Sequence, residues 1–196
     1  MPHQLVTQLR FARSEFVRSL EGVTGEEARR RFLPMNCISW IIGHLAAQEQ
    51  YYFLYFTQEE VPYPNLNKLT GFGRPASTPP LDEMWAAWRE ITKAADVYLD
   101  TLTTEQLTQK LTRDINSERE ALKNALFGSY SEEIIDKLLD RGCVRAGETV
   151  GTKLLRTTYH YWFHTGEASA IRQLLGHTDL PYFVGDMSAA VYEPHG

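Results

Sequence analysis

The run ETVGTKLLRTTYHYWFHTGEASAIRQLLG, residues 148–176, decides how this chain is read. Its periodicity predicts one long helix over 148–175, stopping at Gly176, a residue suited to a left-handed helix end. His160 and His164 are spaced i, i+4, so both imidazoles leave one face. At about 100° per residue, His160, His164, Glu167, Ile171 and Leu174 form a stripe, and Ile171, Leu174 and Leu175 mark it as the core face. Two imidazoles buried without partners cost several kcal/mol in unmet hydrogen bonds, which coordination to a cation relieves. The alternative is a pair satisfied by tyrosine hydroxyls or backbone carbonyls. Spacing alone does not choose: with six histidines, an i, i+4 pair arises in about 15% of shuffled sequences. Leu155, Tyr159, Trp162 and Gly166 make a second stripe nearly opposite, to be covered by the 118–141 segment or by a partner subunit.

Outward from that helix, helical periodicity dominates. Residues 3–20 place Leu5, Leu9, Ala12, Phe16 and Leu20 on one face, with Gly22 as the stop. Thr24-Gly25-Glu26-Glu27 reads as a capping box. Pro34 and Asn36 introduce a long apolar segment over 36–57. Residues 58–80 carry Pro62, Pro64, Gly71, Gly73, Pro75, Pro79 and Pro80, too much punctuation for a helix, and read as a long ordered loop. A helix over 81–101 follows, with Leu81, Met84, Trp85, Trp88, Ile91, Ala95, Tyr98 and Leu99 as its stripe. Residues 104–117 are polar and poorly patterned. Residues 118–141 are helical again, with Ser131 as N-cap, Ile134, Ile135, Leu138 and Leu139 on one face and Gly142 past the end. No strand or repeat is evident. The expectation is one all-α domain: a four-helix bundle with extra short helices, a helical insertion over 115–145 and an extended tail over 177–196.

The chain has 196 residues, a formal net charge of −5 and 43% hydrophobic residues, so it folds without needing a disulfide. The acidic balance argues against nucleic acid, and Arg29-Arg30-Arg31 reads as a solvated helix face. Two cysteines, Cys37 and Cys143, suit a reducing compartment. No apolar run is long enough for a membrane span, and the first residues lack a signal-peptide core. A cytoplasmic protein with no membrane partner is the expectation.

His44 shares its helix face with Cys37, Trp40, Ile41, Gln48, Tyr51 and Tyr55. A lone histidine on an apolar face is usually a satisfied core residue. Facing the His160/His164 pair across a bundle, it completes a three-nitrogen set with coordination positions left open, as in catalytic sites. Cys37 lies about 10 Å along the axis from His44, too far for a ligand. His3, His177 and His195 read as surface residues.

With Asn36-Cys37-Ile38-Ser39-Trp40-Ile41-Ile42-Gly43-His44-Leu45-Ala46, then His160 to Glu167, then Ile171-Arg172-Gln173-Leu174-Leu175-Gly176, the chain resembles the DinB-like (YfiT-like) four-helix-bundle superfamily of metal-dependent enzymes. The resemblance implies an up-up-down-down bundle, with the 58–80 loop as one crossover, and a homodimer. It also implies a divalent metal on His44, His160 and His164. Glu167 stands where the family often has glutamine. Relatives include thiol-dependent S-transferases and a thiol-dependent maleylpyruvate isomerase, which points to a low-molecular-weight thiol and a small-molecule substrate. An open-site cation favours a thiolate near neutral pH; the same ion activates water in a metal-dependent hydrolase. A non-catalytic dimeric metal-binding bundle is the third reading. Three imidazoles suit zinc or nickel first, then iron, manganese or copper. Glu167 is the candidate catalytic residue, as outer hydrogen-bond partner, fourth ligand or general base. Trp40, Gln48, Tyr51 and Tyr55 are the candidate pocket lining. No Gly-x-Ser-x-Gly elbow or phosphate-binding glycine loop occurs.

Overall fold

Local side chains close the ends of the helices. His3 starts α1 (Gln4–Ser19) by accepting from the Leu5 amide through Nδ1 at 3.1 Å. The expected capping box forms at α2 (Gly25–Arg29), where Thr24 accepts from Glu27 N and Glu27 accepts from Thr24 N at 2.8 Å. These belong to a computed structural model that describes residues 2–58, 60–110, 119, 131–140, 148–182 and 184–192. The expected all-α architecture is found: four long helical segments dominate, and among the described residues the strand content is one isolated bridge, Lys110 to Thr149.

The second long segment differs from a plain α-helix. α3 (Ile38–Glu49) runs into a π-helical turn, Gln50–Tyr55, and ends in α4 (Phe56–Gln58). Each i→i+5 turn holds one residue more than an α-turn, so the stripe read at a fixed 100° step loses its phase beyond Gln50. The 58–80 segment is also more ordered than its prolines suggest. α5 (Leu66–Thr70) fits between Pro64 and Gly71, with Leu66, Asn67 and Thr70 buried. Upstream of it, the buried Gln50 amide clasps the backbone of Tyr63 in both directions, at 3.0 and 2.8 Å.

α6 (Leu81–Leu99) buries Met84, Ile91, Ala95 and Leu99 of its expected stripe and also Ala87, whereas Leu81, Trp85, Trp88 and Tyr98 are half-buried. The stretch read as unpatterned holds α7 (Thr104–Leu107), which has its own capping box between Thr103 and Gln106. Most of the expected 115–145 insertion, Cys143 included, lies outside the described residues. Within it α8 (Glu132–Asp140) is present, started by Ser131 and burying Ile135. α9 (Val150–Leu175) is the last long helix. Thr149 caps it at 3.2 Å, and Gly176 ends it at φ 95° with the His177 amide returned to Arg172 O at 3.0 Å. The expected tail is not wholly extended: Met187–Ala190 form a 3-10 turn against α1, fixed by Gln8 donating to Ala190 O and Gln4 to Val191 O, each at 3.0 Å.

α1 packs mainly on α9, α3 mainly on α6 and α5, and α9 also reaches α3. Along α9, Ile171 is buried as expected, but Leu174 is exposed because the stripe leaves the core near the helix end. On the opposite stripe Trp162 is half-buried and meets Phe11 of α1 at 6.1 Å, whereas Leu155, Tyr159 and Gly166 face outward.

Gly43 marks the closest approach of α3 to its neighbours. A Cβ there would lie 2.5 Å from Met84 Sδ and 2.7 Å from Thr70 Cγ2, whereas Gly166 in α9 has nothing within 4 Å. The two sites therefore respond oppositely. Gly43→Ala should destabilise by about 1–3 kcal/mol through overpacking. Gly166→Ala should stabilise by roughly 0.5–1 kcal/mol through helix propensity. Urea unfolding of both variants checks the sign.

Candidate metal centre

α3 carries His44 and the middle of α9 carries His160 and His164. One nitrogen from each ring lies within 4.8 Å of the others, a grouping able to hold a metal ion. His44 meets the pair edge-on, with ring centroids 5.0 Å from His160 and 5.3 Å from His164. His164 is buried; His44 and His160 are half-buried, so the group keeps an accessible side.

The outer nitrogens are all engaged. His44 Nδ1 donates to Thr70 O at 2.8 Å, His160 Nδ1 to Gln48 Oε1 at 2.9 Å and His164 Nδ1 to Glu167 Oε2 at 2.7 Å. A carbonyl, an amide oxygen and a carboxylate can only accept, so each Nδ1 carries the proton and each Nε2 presents a lone pair. His160 Nε2 and His164 Nε2 stand 2.9 Å apart. Two lone pairs at that distance repel unless something positive lies beside them. A proton is disfavoured there. Burial, reinforced by the neighbouring imidazoles and Arg156, pushes His160 well below its ordinary value. Burial also drives His44 down to about 3, helped by His164 and opposed by the Thr70 hydrogen bond. The donor set is one that could hold a metal ion: three imidazoles, each oriented by an acceptor behind it.

Trp40 stacks on His44, centroids 4.5 Å apart and planes 17° from parallel, and covers one face of that ring. Gln48 and Glu167 are in contact with histidine Nδ1 atoms, so both orient ligands; Glu167 takes the outer-partner position among the three weighed for it. Tyr51 and Tyr55 lie in the π-turn. The ring contacts found for them join the two tyrosines to each other, Tyr51 to Tyr52 at 5.3 Å, and both to Phe56. Cys37 is buried beside Ser39 and is no part of the group. His177 corrects the surface reading. It is half-buried, accepting from Arg172 Nε at 3.0 Å and donating to Glu27 Oε1 at 3.1 Å, which ties the end of α9 to α2. His195 lies outside the described residues.

Several participants escape the sequence patterns. Thr70 contributes a backbone carbonyl, for which no side-chain signal exists. Arg13 and Glu49, bonded to each other beneath the centre, left a usable one: Arg13 falls at i+4 from Leu9 and i−3 from Phe16, and Glu49 at i+4 from Leu45, so both are charges on core faces.

The low value of His44 has a consequence for the metal-free protein. Between about pH 6.5 and 3 the unfolded chain binds a proton at this position that the folded chain refuses, so stability falls as pH drops through that window. Melting temperatures of metal-stripped protein from pH 7.5 to 4 should decline, and His44→Gln should make the decline shallower.

No curated protein matches this chain. A family model does: that of the DinB superfamily matches residues 8–168, a span that runs from within α1 to within α9 and holds His44, His160 and His164. With that match over most of its length, the chain belongs to the DinB superfamily.

Proposed function

We propose that this protein is a metal-dependent enzyme that uses a low-molecular-weight thiol, as an S-transferase or as an isomerase acting on a small molecule. The observation that carries the metal requirement is the convergence of three Nε2 lone pairs whose ring protons are all committed to acceptors behind them. A divalent cation, zinc or nickel first, supplies the positive charge that favours the deprotonated form of a thiol or water placed beside it. The chain's own groups do the rest. Thr70, Gln48 and Glu167 hold the rings in one tautomer. Trp40 shields one face of His44 from water. Thiol chemistry of this kind suits the reducing cytoplasm, where we place the protein. Hydrolysis is the second reading, favoured by the Glu167 carboxylate beside the centre, with a side-chain exposure of 21%.

Untagged protein, stripped and reloaded with zinc or nickel, tests this. We expect one metal per chain and turnover of electrophiles that depends on added thiol. We also expect at least a tenfold loss of metal affinity in His44→Ala and His160→Ala with helicity retained. Unchanged metal stoichiometry in both variants would sink the metal assignment. Turnover of esters or amides without thiol would select the hydrolase.

We also propose a homodimer. Leu155, Tyr159 and Phe163 line the outer side of α9, with Tyr159 64% and Phe163 68% exposed. Sedimentation should give a dimer that Phe163→Asp converts to a monomer; a wild-type monomer at tens of micromolar would oppose it.

A further inference from the structure

One residue beyond each member of the Gln48–His160 pair, a second pair joins the same two helices. Tyr161 Oη donates to Glu49 Oε1 at 2.6 Å, and Trp88 Nε1 of α6 donates to Tyr161 Oη at 2.7 Å. Arg13 of α1 completes the set. Its Nε donates to Glu49 Oε1 at 2.8 Å, its Nη2 donates to Glu49 Oε2, and its Nη1 reaches Asp96 of α6 at 2.8 Å. Glu49 and Tyr161 are fully buried and Arg13 is 5% exposed, so four helices meet around one carboxylate in the core.

Stability alone is a poor account of this arrangement. Taking an ion pair out of water costs several kcal/mol per ion, and well-packed apolar residues often do as well or better. What the set provides is direction. A two-pronged guanidinium contact fixes the plane of the Glu49 carboxylate, and that plane fixes where the Tyr161 hydroxyl sits. Apolar packing lets a helix turn about its axis by small amounts; these bonds do not. Tyr161 is one residue after His160 and three before His164, so holding it sets the rotation of α9 at both ligands. Metal ligation tolerates only about 0.2 Å of error in ligand distance, which makes that rotation matter.

We propose that Arg13, Glu49 and Tyr161 are positioning residues of the metal centre, locking α9 against α3 so that His160 and His164 converge with His44. This rests on the metal reading given above. Tyr161→Phe is the sharpest probe, because the ring stays packed against Phe16, 5.6 Å away, while the hydroxyl is lost and Glu49 keeps Arg13. The comparison variant is Leu107→Ala, a core truncation in α7. Both full-length variants and the wild type are stripped of metal and titrated with Co2+ alone, following its visible absorption bands, with melting temperatures recorded in parallel. Tyr161→Phe should weaken Co2+ binding about tenfold and shift the bands. Leu107→Ala should lower the melting temperature at least as much and leave affinity and bands unchanged. Wild-type affinity and spectrum in Tyr161→Phe would overturn the proposal, as would an equal loss in Leu107→Ala. A wild type that binds no Co2+ would overturn the metal reading itself, and this inference with it.

Discussion

Each imidazole of the centre spends its one proton on an acceptor behind it, and the site depends on that arrangement. A neutral histidine has one donor and one acceptor nitrogen, so fixing the donor decides what the other nitrogen can do. Here the three acceptors come from three places: the end of α5, the next turn of α3 and the next turn of α9. None of the ring orientations is set by the helix that bears it alone, apart from the Glu167 contact within α9. The fold must bring α5, α3 and α9 together before the inner lone pairs face one another. Gly43 permits the first of these approaches by leaving room for Thr70 against α3.

Burial makes this arrangement demanding. In water, two imidazole nitrogens 2.9 Å apart would accept protons or solvent; in the core, protonation is costly because the charge loses its hydration. The same burial lowers His44 and His160 and leaves their inner nitrogens free to meet a cation. One turn away, a carboxylate, a guanidinium and a phenol are buried together with every charge matched. These two polar groups follow opposite logic, one complete in itself and one able to hold an ion.

Much of this was legible in the sequence, and the parts that were not have physical reasons. The i, i+4 spacing of His160 and His164 put two imidazoles on one face, because side-chain direction on a helix follows from spacing, and the family resemblance added His44; the three do cluster. Gly176 and the Thr24–Glu27 box announced their helix ends, whereas the equivalent Thr103–Gln106 box sat in a stretch too polar to suggest a helix. Prolines around Leu66–Thr70 masked a helix short enough to fit between them. The Thr70 contact is made by a backbone atom, to which residue identity gives no clue. Tyr51 and Tyr55 were read onto the face of His44 and Gln48 by a constant angular step, and they stand in a π-turn where the step is no longer constant.

That turn divides the second long segment into two mechanically distinct halves. The half before Gln50 carries His44, holds His160 through Gln48 and bonds Tyr161 through Glu49. The half after it carries the aromatic residues and, through Gln50, the start of the proline-rich loop. A π-turn takes up one residue more than an α-turn, so a chain one residue shorter between Gln50 and Tyr55 would pass through the same stretch as plain α-helix and leave both flanks where they are. The turn therefore works as a spacer that absorbs one surplus residue without displacing the helix face that bears His44 and Gln48.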